Sequence, residues 1–317
     1  MTRGFVTIAT GDIKYYKMAH NLLLSYKYHT SNYFPFAIIA EEENEYTKEF
    51  DKVILTSEAS HSFMDKLLLL KLKAWDESIF FDADTLAFGD LNDYWEVFKN
   101  ATDFSSIGVN VALNEGGAFY DIEGIGKYGT KVSYKTRIHL GVAFIRNTIR
   151  LQQLYEDSID IYKNYNKLSI HTNPQCYDEV ILGIAMPMNN MRAEPEQAHM
   201  MACFPCLTSL SGDMKSGKLS YTTNWDTSVK GNGLLVHFGN VNTIHPLYRY
   251  SEEWLNNRLR IANHESIRDV VLYKVGLKRF IINIQYMFYQ VPIFVKRGVS
   301  FFRKRNPFRG TTSSLLE

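Results

Sequence analysis

Two aspartates one residue apart, Asp82 and Asp84, are the side chains in this sequence best suited to chemistry. They directly follow the apolar run 79–81, which predicts a buried strand of the parallel type. Because side chains alternate along a strand, we expect both carboxylates to point the same way at its carboxyl end, where open α/β folds bind ligands. Such oxygen ligands suit Mg²⁺ or Mn²⁺. The pattern predicts half of a divalent-metal site, and the alternative is an acidic pair on a solvated turn.

The elements that must position this pair follow from the apolar periodicity of the chain. Strands are predicted at 5–9, 36–40, 53–55, 79–81, 104–113, 142–145 and 234–238. Helices are predicted at 15–28, 67–75, 92–99 and 151–165, another begins at residue 178, and the Gly-rich stretch 116–129 is expected to be a mobile loop. This alternation indicates an α/β domain, residues 1–250, with a Rossmann-like, mainly parallel sheet flanked by helices. Residues 251–317 are predicted to form a helical, basic and aromatic C-terminal tail.

The segment around the aspartates resembles a known family. Lys66, the helical stretch 67–75, an apolar strand and then Asp82-Ala83-Asp84-Thr85 follow one another as in the glycogenin-like retaining glycosyltransferases of family 8, which include bacterial lipopolysaccharide galactosyltransferases. The lysine-to-aspartate spacing also matches, and the resemblance covers about the first four-fifths of the chain. It implies a GT-A fold and metal-dependent transfer of a sugar from a nucleotide-diphosphate donor, UDP-linked, to a glycan or lipid-linked acceptor.

The resemblance also implies a third metal ligand. His237 ends an apolar run and is followed by Phe238-Gly239, similar to a histidine-phenylalanine-x-glycine segment of the family. An imidazole beside two carboxylates favours Mn²⁺ over Mg²⁺ as the cofactor. By resemblance, Asp84 binds the metal most directly, while Asp82 also reaches the ribose. The alternative for His237 is a hydrogen-bonded core histidine.

Donor binding is implied for the first strand and its turn, which resemble the family's uridine-binding segment. The full donor-binding set is Thr7, Ala9, Thr10, Asp12, Tyr16, Lys66, Asp82, Ala83, His139 and Gly239. The tyrosine that stacks on the base is Tyr15 or Tyr16, and either could instead simply cover its helix. Lys66 would place a cation near phosphate or sugar hydroxyls, and its alternative is a surface lysine that begins a helix.

The catalytic pair implied by the resemblance is Asp178 and Glu179, where relatives carry aspartate and glutamine at the start of a helix. Asp178 would bind sugar hydroxyls, and Glu179 would lie beneath the anomeric carbon. A carboxylate there either stabilises an oxocarbenium-like centre or attacks it to form a covalent intermediate. Front-face attack by the acceptor is a further mechanism. Acidic residues favoured by the helix dipole are the structural alternative.

Two departures from the family pattern leave the donor sugar unassigned. His139-Leu140-Gly141 stands where relatives have asparagine-serine-glycine, so the two polar residues differ. Relatives have a lysine-proline-tryptophan segment whose lysine binds the diphosphate. Here His245 is the nearest candidate to replace that lysine, but its spacing differs, so this contact with the diphosphate is not assigned.

The cysteines and the N-terminal residues indicate in which cellular compartment the protein is expected. Three cysteines, Cys176, Cys203 and Cys206, do not make a disulfide framework, and the first residues lack the design of a signal peptide. We therefore expect a cytoplasmic protein. Cys203 and Cys206, with His199 nearby, offer too few ligands for a convincing zinc site, so buried thiols are expected.

The tail carries the strongest charge asymmetry. Residues 271–310 contain nine Lys/Arg and no Asp or Glu, and the run 280–295 is nearly all apolar. Basic residues flanking an apolar, aromatic segment predict an interfacial helix on an anionic membrane, which would hold the protein on the inner face. Nucleic-acid binding fits the apolar run less well. The structural alternative is a C-terminal helix that closes the core.

Two other functions remain open. A sugar nucleotidyltransferase would carry a Gly-rich, basic loop after the first strand, which Thr10-Gly11-Asp12 does not supply. A catalytically inactive GT-A module acting as a membrane-associated binding protein is the second, and the intact Asp82, Asp84 and His237 argue against it.

Overall fold

Alternating strands and helices build the protein, described here by a computed structural model that covers residues 1–170, 178–195, 200–204, 207–223, 233–262 and 281–288. Its strands are β1 (Arg3–Ala9), β2 (Phe36–Ala40), β3 (Lys52–Leu55), β4 (Glu77–Phe81), β5 (Thr85–Ala87), β6 (Phe104–Val111), β7 (Lys135–Arg146), β8 (Met201–Cys203), β9 (Leu207–Asp213), β10 (Lys218–Thr223) and β11 (Leu235–His237). Its α-helices are α1 (Ile13–His29), α2 (Leu68–Lys71), α3 (Tyr94–Val97), α4 (Ile149–Asn164), α5 (Asp178–Met188) and α6 (Pro246–Ala262). Its 3₁₀ segments are Phe63–Leu67, Leu91–Asp93, Glu123–Lys131, Tyr165–Lys167 and Asn240–Ile244.

The central sheet has six strands in the order β3-β2-β1-β4-β7-β6. The first four are parallel, and β7 runs antiparallel to both β4 and β6. Strands β2 and β4 are buried along their whole length, as expected for parallel strands covered on both faces. Helix α1 packs on β1, and α5 packs on β7. The predicted α/β fold, a mainly parallel sheet flanked by helices, is confirmed.

A second, three-stranded sheet has the order β5-β11-β8. Strand β11 is antiparallel to β5 and parallel to β8. The predicted last strand, 234–238, therefore exists but belongs to this second sheet and not to the central one. Because β5 starts directly after the two aspartates, this sheet brings them beside β11.

Several predicted elements differ from the structure in length, among them the helix expected at 92–99, which is only α3. The helix expected at 67–75 is only α2, because Leu72 is extended (φ −95°, ψ 102°) and Trp75 turns its indole N–H to the Phe5 carbonyl at 3.0 Å. The loop expected at 116–129 contains most of the 3₁₀ segment Glu123–Lys131, anchored by buried residues and kinked where Gly126 has φ 55°. Strand β7 begins seven residues before the predicted 142–145, since its first half is polar and hides the pattern.

The chain forms two compact units, Met1–Thr243 and Ile244–Glu317, whereas the sequence analysis divided it at residue 250. In the second unit, the described segment 281–288 is helical, and the Tyr250 hydroxyl donates to Asn283 Oδ1 at 2.8 Å. Most of the predicted membrane-binding region 271–310 lies outside the described residues. Within the described part of the chain, every helix is too short or too polar to cross a bilayer.

Candidate functional site

The two aspartates lie in a turn at the carboxyl end of β4. The turn begins where the Asp82 N–H donates to the Gly141 carbonyl at 3.0 Å, and it closes where the Thr85 N–H and hydroxyl donate to the Asp82 carbonyl at 3.1 and 2.7 Å. The expectation that strand alternation aligns the carboxylates is therefore wrong, since β4 ends at Phe81. The turn achieves the convergence instead.

His237 is the residue on which both carboxylates converge. Its Nε2 lies 3.0 Å from Asp84 Oδ1 and 3.4 Å from Asp82 Oδ2. The register of β11 fixes this position, because His237 pairs with Thr85 of β5, and the Phe238 N–H donates to the Asp84 carbonyl at 3.1 Å. The structure thus brings the three predicted metal ligands together.

The donor set fits a divalent cation. Ligand atoms of Asp82, Asp84 and His237 all lie within 4.8 Å of one another. Asp84 Oδ1 is buried and, although His237 is close, makes no hydrogen bond of suitable direction within the described residues. A buried carboxylate oxygen with unused acceptor capacity is suited to ligation. Two carboxylates and an imidazole form a donor set that Mn²⁺ accepts.

Lys66 joins the aspartate turn to α5. Its Nζ lies 2.6 Å from Asp82 Oδ2 and 3.1 Å from Asp178 Oδ2. The side chain is only 15% exposed, so the surface-lysine alternative is wrong. The structure also shows that the ammonium charge is shared by two carboxylates of the protein itself.

The pKa values reflect this mutual compensation. Burial disfavours the charged form of Lys66, but the carboxylates of Asp178 and Asp82 outweigh it and raise the Lys66 pKa well above its usual range. Burial likewise raises the pKa of Asp82, yet Lys66 and His237 lower it further than burial raises it. Burial works against the charged imidazole of His237, and the two aspartates nevertheless raise its pKa to about 10. Without a metal, a proton on His237 therefore supplies positive charge to the site.

Asp178 and Glu179 open α5 next to this cluster. Burial raises the pKa of Asp178, although Lys66 opposes the change. Glu179 Oε1 accepts from the Leu140 N–H at 3.0 Å and lies 3.8 Å from His139 Nδ1. The Gly141 N–H donates to the same His139 nitrogen at 3.1 Å, and burial lowers the His139 pKa to about 4. His139 is therefore neutral at pH 7, with Nδ1 as an acceptor.

The first strand and turn reach the site through Asp65, which sequence reasoning missed. Asp65 is 5% exposed and accepts from the Thr10 hydroxyl at 2.7 Å and from the Ser60 N–H at 2.6 Å. It directly precedes Lys66, so it ties the end of β1 to the segment that carries the lysine. The only sequence signal was Ser62, which caps this 3₁₀ segment at Met64 N.

The other predicted donor-binding residues are placed as follows. Thr7 and Ala9 are buried in β1, and Asp12 caps α1 through the Lys14 N–H at 2.9 Å. Tyr16 is 2% exposed, and its hydroxyl accepts from the Glu41 N–H at 3.2 Å, which leaves little ring surface for a base.

Three more residues that were considered for donor binding have the following positions in the structure. Tyr15 is half-buried, and so offers more ring surface than Tyr16. Ala83 is buried inside the turn, and Gly239 has φ 58° after β11. All these donor-binding roles remain predictions.

The histidine and cysteine predictions outside the cluster have different outcomes. His245 belongs to the second unit, where its ring meets Tyr286 edge-on at 5.1 Å. Cys176, Cys206 and His199 lie outside the described residues. Cys203 is described, and its Sγ contacts His139 Nε2, a neighbour that the Cys-x-x-Cys spacing gave no reason to expect.

Comparison with solved structures finds glycosyltransferases. The galactosyltransferase LgtC, solved in complex with donor and acceptor sugar analogs, has a TM-score of 0.48 at 13% identity, covering 80% of this chain and 94% of that one. GlyE of Streptococcus pneumoniae TIGR4 has a TM-score of 0.40 at 15% identity, covering 63% and 47%. The bifunctional glycosyltransferase WbbM has a TM-score of 0.46 at 11% identity, covering 80% and 49%.

These similarities are limited in extent. This chain spans about half the length of the GlyE and WbbM structures that it matches. No protein-family model matches the sequence, and a search of curated proteins finds no match. At such identities and TM-scores the likeness carries no argument about activity, which must rest on the site.

Proposed function

We propose that this chain is a metal-dependent, retaining glycosyltransferase that takes a sugar from a UDP-linked donor to a glycan or lipid-linked acceptor. The observation that carries the proposal is the convergence of Asp82, Asp84 and His237 at the carboxyl end of β4, with Lys66 joining them to Asp178. Open α/β sheets bind ligands at this edge. The family resemblance of the surrounding segment supports the choice of reaction.

Asp82, Asp84 and His237 would hold Mn²⁺ or Mg²⁺. When bound, the ion would neutralise charge on the departing diphosphate. Lys66 would keep Asp82 and Asp178 ionised and in place, since its ammonium contacts both. This positioning role differs from the direct contact with phosphate that the family resemblance implies.

Glu179 would stabilise the positive charge that develops at the anomeric carbon. The Leu140 N–H holds one of its oxygens, so the carboxylate is oriented before substrate arrives. Glu179→Gln keeps the size and the acceptor oxygen but removes the charge, and we expect kcat to fall roughly 100-fold. A much larger loss, with a covalent glycosyl-enzyme detected by mass spectrometry of the wild type, would favour direct attack by Glu179 instead.

The test of the function is a thermal-shift titration with UDP, with and without Mn²⁺. Ligand at about 100 times its Kd stabilises the native state by about 2.7 kcal/mol, so UDP with Mn²⁺ should raise Tm measurably. Asp84→Asn should abolish this shift, and Asp93→Asn, at an exposed aspartate, should preserve it. Absence of a shift with any nucleoside diphosphate would refute the proposal.

Turnover separates the enzyme from its alternatives. Wild-type protein with UDP-sugars and Mn²⁺ should release sugar whose initial anomer, observed by NMR, matches the donor. Metal-dependent binding of UDP without any turnover would favour the inactive binding module. Formation of a sugar nucleotide from a sugar phosphate would favour the nucleotidyltransferase.

We also propose that the tail, residues 271–310, holds the protein on an anionic membrane surface. Nine basic residues support this, as do the exposed Ile281, Met287 and Phe288 of the described helical segment. Co-sedimentation with phosphatidylserine vesicles should weaken in Met287→Gln/Phe288→Gln, and Val109→Gln, at an exposed apolar residue of β6, is the control. Equal sedimentation of all three proteins would contradict the assignment.

A further inference from the structure

We propose that His139, Cys203 and His237 form a second metal site, for a thiophilic transition-metal ion such as Zn²⁺. Their ligand atoms all lie within 4.8 Å of one another. Cys203 Sγ is 2.5 Å from His139 Nε2 and 3.9 Å from His237 Nδ1. The two imidazole rings meet edge-on, with centroids 5.0 Å apart. This site shares His237 with the proposed carboxylate site, but the observations that support it do not rest on the proposed function.

The fold builds this cluster from three strands. The parallel register of β8 and β11 sets Cys203 directly beside His237, and the Phe204 N–H donates to the His237 carbonyl at 3.1 Å. His139 comes from β7, on the other side of the cluster. Two of the three ligands are thus fixed by sheet hydrogen bonds, so the arrangement does not depend on long side chains.

Gly141 and Met201 shape the space between the ligands. A Cβ on Gly141 would lie 3.0 Å from His237 Nδ1, 3.1 Å from Met201 Sδ and 3.2 Å from His139 Cε1. The missing side chain therefore lets both imidazoles and a thioether approach one another. Met201 is 5% exposed, so the sulfur borders the cluster from a protected position.

The donor set selects the class of ion. One thiolate and two imidazoles suit Zn²⁺, whose sites of this kind use three protein ligands and leave a fourth position open. Tetrahedral Zn–S and Zn–N bonds place sulfur and nitrogen about 3.6 Å apart. The 3.9 Å distance to His237 Nδ1 is close to this value, while His139 must withdraw by about 1 Å from Cys203. Binding releases the thiol proton to solvent.

The hydrogen bonds of the two histidines fit this assignment to different degrees. His237 turns Nδ1 to the thiol, and its Nε2 lies 3.0 Å from Asp84 Oδ1, so a small change in direction would let Nε2–H donate to the carboxylate, as in metal sites where a carboxylate orients the histidine ligand. Ligation through His139 Nε2 needs a proton on Nδ1, and Glu179 Oε1, now 3.8 Å from Nδ1, would have to move closer to accept a hydrogen bond from it. The Gly141 N–H would then lose its present acceptor.

The two metal sites share His237. The Nε2 atom faces Asp82 and Asp84, and the Nδ1 atom faces Cys203. A neutral imidazole has one lone pair, so it ligates one metal at a time. A thiophilic ion would therefore take His237 from the carboxylate site, and the two ions should compete.

Cobalt substitution of the full-length protein tests the site. Co²⁺ bound by a thiolate gives a sulfur-to-metal charge-transfer band, which a carboxylate–imidazole site cannot give. We expect this band in the wild type and its loss in Cys203→Ser. Circular dichroism confirms that each variant is folded. A folded wild type without the band, or a band that persists in Cys203→Ser, would overturn the proposal.

Asp84→Asn distinguishes this site from the carboxylate site. At saturating Co²⁺ the variant should keep the band, with affinity reduced roughly 10–100-fold as for other outer-shell partners of metal-bound histidines. Loss of the band at saturation would overturn the assignment of Asp84 as a non-ligand of this ion. Failure of UDP binding would leave all these cobalt results unchanged.

Discussion

Replacing Lys66 by Met tests whether its ammonium holds the site together. The Nζ atom lies between Asp82 Oδ2 at 2.6 Å and Asp178 Oδ2 at 3.1 Å. The three side chains are 15%, 14% and 4% exposed, so water can replace little of the lost interaction. Met has a similar length and no charge. The variant therefore leaves two carboxylates close together without the ammonium that lies between them.

The magnitude follows from the cost of an uncompensated buried charge. Removing one partner of a buried ion pair costs about 3–5 kcal/mol. Because His237 still compensates Asp82 in part, we expect the lower end, about 3 kcal/mol. With a urea m-value of about 3 kcal/mol/M, the unfolding midpoint should fall by about 1 M. Tm should fall by roughly 4–6 °C, because the entropy of unfolding grows with chain length.

Urea titrations followed by circular dichroism measure this loss, and Lys71→Met is the matched control. Lys71 pairs with Glu58 on the surface, where both side chains are more than 40% exposed, so its midpoint should barely move. The double variant Lys66→Met/Asp178→Asn removes one stranded charge and should recover stability, with a coupling of roughly 1–3 kcal/mol. A Lys66→Met midpoint equal to that of Lys71→Met, without coupling, would refute the buried triad.

Three further predictions concern other parts of the first unit. Glu77 is 2% exposed and pairs with two partly exposed arginines, so Glu77→Gln should lower the free energy of unfolding by about 2–3 kcal/mol in urea titrations, and an unchanged value would contradict this pairing. Gly141→Ala should weaken Co²⁺ binding, because its Cβ falls 3.0 Å from His237 Nδ1; unchanged cobalt affinity would show that the rings can move aside. Burial lowers the pKa of His29, so the unfolded chain takes up the proton first and stability should fall as pH drops below 6.5. His29→Gln should flatten this slope in urea midpoints measured from pH 5 to 7.5, and an unchanged slope would argue against it.

The fold was predictable where the apolar pattern was continuous. The strand predicted at 36–40 has the observed bounds of β2, because every residue of it is buried and apolar. Strand β7 was found only in part, since its first half mixes buried Lys135 and Thr136 with apolar residues. Local pattern cannot distinguish a polar side chain that is buried by tertiary packing from one that faces solvent. In the second sheet only β11 was predicted, because β5 and β8 are three-residue strands that leave no period to detect.

The sequence predicted those site residues that a motif with recognisable spacing contains. Asp82, Asp84 and His237 do converge, and Lys66 does reach them. The contact of Cys203 with His139 was invisible, because it depends on strands β7 and β8, which lie far apart in the sequence and meet only through packing. Asp65 was missed because its partners are backbone and hydroxyl groups, and the Ser62 cap indicates only that a helical turn begins, not what Asp65 binds.

The pairing of Lys66 decides how the proposed site can treat a diphosphate. The Lys66 ammonium lies 2.6 and 3.1 Å from two carboxylates, which offset its positive charge. Its attraction for a third anion, such as a diphosphate, is therefore weak. The cluster also contains Asp84 and Glu179, so acidic side chains outnumber the cations Lys66 and His237. A diphosphate would therefore meet a site that repels it until a divalent ion is bound. Under the proposed function, metal dependence is a consequence of this charge balance, and Lys66 supports it by holding Asp82 in place.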